Sequence, residues 1–135
     1  MPECLFCQIV RGAAAAEVVH EDPAAVAFLD AYPAARAHVL VVPRVHAPTL
    51  LDLPEAAVGA LFSAVRTVQA KVERALHPVG MNVGWNHGRA CGQHVLHLHV
   101  HVLPRFEGGG RGIQALGAGG DRAELSALAS AIRAG

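Results

Sequence analysis

The sequence carries no net charge, because its 11 lysine and arginine residues are matched by 11 aspartate and glutamate residues. A neutral chain has no electrostatic footprint for a nucleic-acid polymer or an anionic membrane, so neither is an expected partner. Long apolar runs are missing as well. The longest bulky one is Val39-Leu40-Val41-Val42, far too short for a membrane span or a signal-peptide core. The opening Met1-Pro2-Glu3-Cys4 lacks a basic segment followed by an apolar one. A cytoplasmic location is therefore expected, where thiols stay reduced. The 3 cysteines are then expected as metal ligands or spectators, not disulfide partners. No Gly-Lys-Ser or Gly-Lys-Thr follows the glycines after Glu107, which excludes a P-loop. Tryptophan and tyrosine occur once each, whereas histidine occurs 9 times. Imidazoles are costly to bury without hydrogen-bond partners, so their positions need a reason.

At 135 residues and 53% apolar content, the chain suits one domain spanning 1–135 around one core. It has no repeat and no linker. Residues 4–10 form a short helical turn in this reading, with Leu5, Phe6 and Ile9 as its apolar face. Ala13 to Ala16 are a helix end or a loop. Val18-Val19, Glu21-Asp22-Pro23 and the stretch from Val26 to Leu29 predict a β-hairpin turning at Asp-Pro. Residues 38–42 predict a strand closed by Pro43. Residues 55–76 predict the longest helix, with Val58, Leu61, Phe62, Val65, Val72 and Leu76 on one face. Asp52 and Glu55 suggest its start box, with Pro54 in the first turn. Residues 81–85 and 95–103 predict two more strands, the second closed by Pro104. The glycine-rich stretch 108–120 is expected to be a mobile loop. A last helix, about 121–133, starts at Asp121 and buries Leu125, Leu128 and Ile132. The fold class is α+β, a five-stranded and mainly antiparallel sheet with one long helix and a short C-terminal one.

Within 95–103, His97, His99 and His101 alternate with Leu98, Val100 and Val102. Successive strand residues face opposite ways, so the three imidazoles share one face and the apolar residues the other. One metal ion held by all three is disfavoured. Same-face neighbours lie about 6.6 Å apart and the outer pair about 13 Å, against zinc–nitrogen bonds of about 2.0–2.1 Å. The competing reading is a solvated histidine-rich face. Strict alternation favours a catalytic set anchored by the apolar side of its strand.

The stretch from Gly92 to Arg105, with His94 and the three alternating histidines, closely resembles the signature of the histidine triad (HIT) family of nucleotide hydrolases and transferases. Further blocks resemble the same family: Cys4 to Ile9, Phe28-Leu29-Asp30, Ala37 to His46, and Asn82 to Gly88. The resemblance covers residues 4–106. It implies the HIT-like fold and a homodimer, joined through the long helix and a neighbouring strand into one continuous sheet. It also implies hydrolysis at the α-phosphorus of nucleoside monophosphate derivatives, most like the purine nucleoside phosphoramidase branch. The intermediate would be a covalent nucleotidyl-histidine. His99 would be the nucleophile, as suits a neutral imidazole near pH 7. His101 would hold phosphate oxygens beside His97. His38 would support the triad by hydrogen bonding, the alternative being a satisfied core histidine. Asn86, Gln93 and backbone amides near Val95 would donate to the phosphoryl group. Asp30 would grip the ribose, unless it is an exposed acid ending a strand. Leu5, Phe6, Ile9 and Phe28 would line the base slot, though as bare sequence they suit ordinary core. No cofactor is required for catalysis in this reading, and the partner is a small purine nucleotide. A dinucleoside polyphosphate hydrolase or phosphorylase is the enzymatic alternative. A zinc- and nucleotide-binding regulatory module without relevant turnover is the alternative of another class. The transferase branch replaces the third histidine, so His101 argues against it.

Two features stand beside the triad. Cys4 and Cys7 have the two-residue gap that lets both thiolates reach one ion. By resemblance, His46 and His97 would complete a structural zinc site, the alternative being a metal-free cysteine pair. His94 departs from the family pattern, which usually has Ser or Thr there. It reaches the phosphate only if residues 92–94 are a loop, and otherwise it is a solvated histidine.

Overall fold

The computed structural model describes residues 4–108, 112 and 121–135. The elements are α1 (Leu5–Val10), β1 (Val18–Glu21), β2 (Ala25–Leu29), β3 (Val39–Pro43), α2 (Glu55–Leu76), β4 (Gly80–Gly84), β5 (Val100–Arg105) and α3 (Arg122–Ala134), with short 3-10 turns at Leu50–Asp52 and Arg89–Cys91. The expected α+β architecture is present. The sheet runs β1-β2-β3-β5-β4, and every neighbouring pair is antiparallel.

The hairpin turns as expected at Asp22-Pro23. Asp22 Oδ1 accepts from the N–H groups of Ala24 (2.8 Å) and Ala25 (2.9 Å), a side chain standing in for the missing turn of backbone. Strands β2 and β3 are buried along their whole length. Their alternation divides the protein in two. Ala25, Ala27, Leu29, Val39 and Val41 face the main core, whereas Val26, Phe28, Leu40 and Val42 face a smaller cluster with Phe6 of α1. In the main core α2 contributes Leu61, Ala64, Val65, Val68 and Val72, and α3 contributes Leu128, Ala129 and Ile132. Val58, Phe62, Leu76 and Leu125 pack at its margin. Truncating fully buried Leu61 to Ala would cost about 2–5 kcal/mol.

The start of α2 differs from the sequence reading. Its N-cap is Pro54, without a side-chain cap. Asp52 is used one turn earlier, where its Oδ2 accepts from the N–H (3.1 Å) and hydroxyl (2.8 Å) of Thr49. A Thr partner three residues upstream captured the carboxylate first. The helix ends as His77 enters the left-handed region at φ 50°, since Pro78 disfavours a helical residue before it. Asp121 caps α3 by accepting from the Ala123 N–H at 2.9 Å. The expected glycine-rich loop lies outside the described residues apart from Gly108 and Gly112.

The last strand is shifted from 95–103 to Val100–Arg105. Residues 95–99 carry no ladder, because Leu98 N–H is taken by Ala47 O at 2.7 Å. At the other end the strand runs through Pro104, which pairs with Met81 of β4. The pairing with β3 stops at Val102, so the missing proline N–H costs no bond to β3. Only His101 of the three triad histidines therefore lies in a regular strand. The alternation survives: Leu98, Val100 and Val102 belong to the main core, and the three imidazoles lie together on the α1 side.

Candidate active site

His97, His99 and His101 are all buried. The rings of His99 and His101 have centroids 5.0 Å apart. Phe6 of α1 stands edge-on to both His97 (6.0 Å) and His99 (5.1 Å). This α1 face closes the triad from above, while the sheet supports it from below.

The protons of this site are ordered by main-chain groups. His99 Nδ1 lies 2.7 Å from the carbonyl oxygen of His97. A carbonyl only accepts, so Nδ1 carries the proton and Nε2 of the neutral ring keeps its lone pair. Burial lowers the pKa of His99, a shift opposed by that hydrogen bond and reinforced by charge on His94. The ring is thus held as a neutral Nδ1–H tautomer.

His101 is ordered through His38. The Ala34 N–H donates to His38 Nδ1 at 3.1 Å, which makes Nε2 the protonated nitrogen of neutral His38. That nitrogen lies 2.8 Å from His101 Nδ1 and donates to it. His101 consequently carries its proton on Nε2, a buried atom with no partner among the described residues. Burial, with charge on His99, lowers the pKa values to about 4 for His38 and about 3 for His101, so both rings are neutral near pH 7. Ala37, just before His38, adopts φ 63° and is fully enclosed. It is one of two non-glycine residues in the left-handed region among the described residues, and it sets the turn that aims His38.

Asp30 ends β2 beside this pair. Its Oδ1 accepts from Tyr32 N–H at 2.9 Å, and Oδ2 lies 3.6 Å from His38 Nδ1. Burial raises its pKa, against the pull of the Tyr32 hydrogen bond. Phe6, Phe28 and Ile9 share the smaller cluster, with the two phenyl rings 5.4 Å apart. Leu5 does not join them. It is 52% exposed on the outer side of α1, because Phe6 occupies the one position of that turn that points at the sheet.

Gln93 differs from its expected role as a phosphate donor. It is 1% exposed. Its Oε1 accepts from Gly88 N–H at 2.8 Å, and its amide donates to the carbonyls of Pro48 and Val95. Both amide protons are engaged, so Gln93 braces the loop rather than offering a free donor. Asn86 and the main-chain N–H of Val95 have no hydrogen-bond partner among the described residues. Gly92, at φ 103°, keeps 92–94 a loop rather than a strand. The exposed His94 is on that loop, and its charge reaches the His99 ring.

A second set of side chains meets at His97. The ligand atoms of Cys4, Cys7, His46 and His97 all lie within 4.8 Å of one another. Sulfur–nitrogen separations are 3.6 Å (Cys4 to His97), 3.5 Å (Cys7 to His97) and 3.2 Å (Cys7 to His46). The Nδ1 atoms of His46 and His97 are 3.2 Å apart. A tetrahedral ion with bonds of about 2.0–2.3 Å separates its ligands by about 3.3–3.8 Å, so the four donors fit a metal ion. His97 Nε2–H donates to Pro43 O at 2.9 Å, which turns the unprotonated Nδ1 toward the cluster. A backbone acceptor of this kind orients metal-bound imidazoles.

Sequence reasoning missed the main-chain partners: Ala34 N–H, Pro43 O and His97 O. Backbone groups have no residue signature, and their alignment depends on loop geometry.

Comparison with known proteins agrees with this fold. A HIT domain model matches residues 11–108. The HIT-like protein MJ0866 of Methanocaldococcus jannaschii is 39% identical over 109 residues, 79% of this chain and 82% of that protein. The adenosine 5'-monophosphoramidase hnt1 of Schizosaccharomyces pombe is 34% identical over 102 residues, 76% of this chain and 74% of that one. The crystal structure of a zinc-bound histidine triad family protein from Mycobacterium smegmatis matches with a TM-score of 0.81 at 32% identity, covering 98% of this chain and 91% of that one. The chain belongs to the HIT family.

Proposed function

We propose that the chain hydrolyses nucleoside monophosphate derivatives of the phosphoramidate type, with His99 as the nucleophile. The observation that carries this reading is the 2.7 Å hydrogen bond from His99 Nδ1–H to His97 O. It leaves Nε2 as a lone pair in a buried site beside the neutral rings of His38 and His101. Nε2 attacks the α-phosphorus, a phosphorus–nitrogen bond to the ring forms, and the bond to the leaving amine breaks as that amine takes a proton from solvent, one that is returned when water cleaves the adduct. Positive charge that builds on the imidazole is stabilised by the His97 carbonyl. Charge on the phosphoryl oxygens is met by His101 Nε2–H, a donor otherwise without a partner. Water then cleaves the adduct, releasing the nucleoside monophosphate and neutral His99.

Asp30 is suited to accept from ribose hydroxyls, and Phe6, Ile9 and Phe28 supply apolar surface for the base. The monophosphoramidase relative supports the choice of leaving group. The cysteine and histidine donor set suits zinc, as does the zinc-bound relative. Zinc would be structural there, held by Cys4, Cys7, His46 and His97, with no role in proton or phosphoryl transfer. A homodimer is part of this reading, since β4 is an edge strand that carries the exposed Val83 and is flanked by the exposed Val79 and Trp85. A cytoplasmic setting suits the paired thiols.

Turnover of adenosine phosphoramidate tests the reading. His99→Ala should lower kcat at least about 10³-fold while nucleotide binding persists. Rapid quench of the wild type should trap an acid-labile, base-stable adduct. An active His99→Ala protein with no adduct on the wild type would end the nucleophile assignment. Faster turnover of dinucleoside polyphosphates in the same assay would favour the alternative branch.

A further inference from the structure

Resting on that reading, we propose that the metal centre is a positioning device for the nucleophile, because the ion pins the two elements that hold the His99 ring: His97 and helix α1. Two separate paths lead from the donor cluster to His99.

The first path is one residue long. His97 offers Nδ1 to the cluster, donates from Nε2 to Pro43 O at 2.9 Å, and accepts on its main-chain oxygen from His99 Nδ1 at 2.7 Å. An ion on Nδ1 fixes the ring in rotation as well as translation. Fixing the ring restrains the backbone of His97, which lies ahead of the β5 ladder that starts at Val100. The acceptor that sets the His99 tautomer therefore moves with the metal ligand. His97 is a positioning residue in this scheme, not a catalytic one.

The second path runs through α1. A six-residue helix cannot sustain itself by its own hydrogen bonds. It has no side-chain cap at Cys4 and no acidic residue in its first turn, and Phe6 is its only buried residue. Cys4 and Cys7 bracket Phe6. An ion tying both sulfurs to His46 and His97 would lock the helix at its N-terminal end, and so fix the ring that stands 5.1 Å from His99. Without that tie, the N-terminal end of the helix loses a covalent anchor, and its hold on the sheet rests on weaker contacts, among them the packing of Phe6, Ile9 and Val10 in the smaller cluster.

Cobalt substitution followed by imidazole nitrogen NMR tests this. Thiolate-to-cobalt charge-transfer absorption reports loading independently of turnover. In protein loaded with diamagnetic zinc the His99 Nδ1–H signal should be sharp and protected. Stripping the metal should broaden that signal and lower kcat about tenfold with KM changed less than about twofold, a loss of alignment rather than of affinity. Zinc should restore both. His46→Ala removes the exposed ligand, and it should copy the stripped state at low zinc and recover at excess zinc. Phe6→Leu should keep the cobalt spectrum yet broaden the His99 signal. A loaded, His99-dependent enzyme would overturn the inference if its His99 signal and kcat were indifferent to metal while circular dichroism showed it folded. If the stripped protein unfolds, an unchanged His99 signal in Phe6→Leu and in zinc-poor His46→Ala would overturn it instead. A wild type without the cobalt band refutes the metal reading, and a fully active His99→Ala protein refutes the nucleophile reading. Those two results are distinct from failure of the coupling.

Discussion

His38 donates from Nε2 to His101 Nδ1 at 2.8 Å, and the direction of this bond is dictated from outside the pair by the Ala34 N–H. A backbone amide thus determines that His101 presents a proton, not a lone pair, to the site. Removing His38 leaves His101 free to take either tautomer and strands a buried acceptor. His38→Ala should lower kcat about 10- to 100-fold, corresponding to about 1–3 kcal/mol, with a smaller change in KM. His38→Gln keeps a side-chain amide donor and should recover part of the loss. Steady-state kinetics of the three proteins decide it. Equal kcat in wild type and His38→Ala would remove the pair from the mechanism.

The same pair should shape stability against pH. In the folded chain the pKa values are lowered by burial to about 4 and about 3, from an ordinary 6.5. Between those values the unfolded chain binds protons that the native pair refuses. Stability then rises with pH over that interval. It is fully present above pH 6.5 and is lost progressively as pH falls toward 4. Melting temperatures from pH 7 to 4 should fall more steeply for the wild type than for His38→Gln. Parallel curves would show that the pair stays protonation-neutral with respect to folding.

The metal reading predicts one zinc per chain in protein purified without chelator. A ligand at a thousand times its Kd stabilises the native state by about 4 kcal/mol, of order 10 °C in Tm for a domain of this size. Cys4→Ser with Cys7→Ser should lose both the zinc and that margin. Elemental analysis and calorimetry on the pair of proteins provide the check. Unchanged Tm and metal content would rule the site out.

The dimer reading rests on surfaces already described. Phe62 of α2 and Trp85 beyond β4 meet edge-on at 5.4 Å, joining the edge strand to the helix as one surface. Gly59 on this helix has open space where a side chain would be, which permits close approach of a second helix. Sedimentation should give the mass of two chains at micromolar concentration, and Gly59→Arg should shift it toward one. A single-chain mass for the wild type would refute the dimer.

The sheet was legible in the sequence where side chains alternate against a buried face. Val26 to Leu29 and Val39 to Val42 were read correctly because both faces of those strands are apolar or aromatic. The long helix was read to its residue limits because Pro54 and Pro78 bound it. The triad strand was misread at its start. The alternation from His97 to Val102 is real, but Leu98 spends its N–H on Ala47, a contact between segments 51 residues apart in sequence that no local pattern carries. Gln93 was misread for a related reason: an amide with donors in reach of a phosphate looks the same in sequence as one whose donors are satisfied by Pro48 and Val95. The four donors of the Cys4, Cys7, His46 and His97 cluster come from three separate segments, and only the Cys4 and Cys7 spacing is local.

His94 departs from the family pattern and gives the most specific test of this chain's own chemistry. The usual Ser or Thr offers a hydroxyl that keeps its proton throughout the neutral range. An imidazole gains or loses a proton between about pH 5 and 8. The structure satisfies the condition that His94 stand on a loop: Gly92 adopts φ 103°, and the ladder of β5 starts only at Val100. His94 is exposed, and its charge opposes protonation of His99, so the two rings share one electrostatic environment. A protonated His94 would draw the phosphate in and hand a proton to the departing amine. Activity should then decline as pH rises through the range in which imidazoles release a proton. His94→Ser should remove that limb and flatten the profile, with kcat/KM at low pH reduced by about 3- to 30-fold. The comparison is kcat/KM from pH 5 to 9 for both proteins, on a substrate whose leaving group does not titrate in that range. Superimposable profiles would make His94 a solvated bystander, and a flattened profile would make it the acid of this active site.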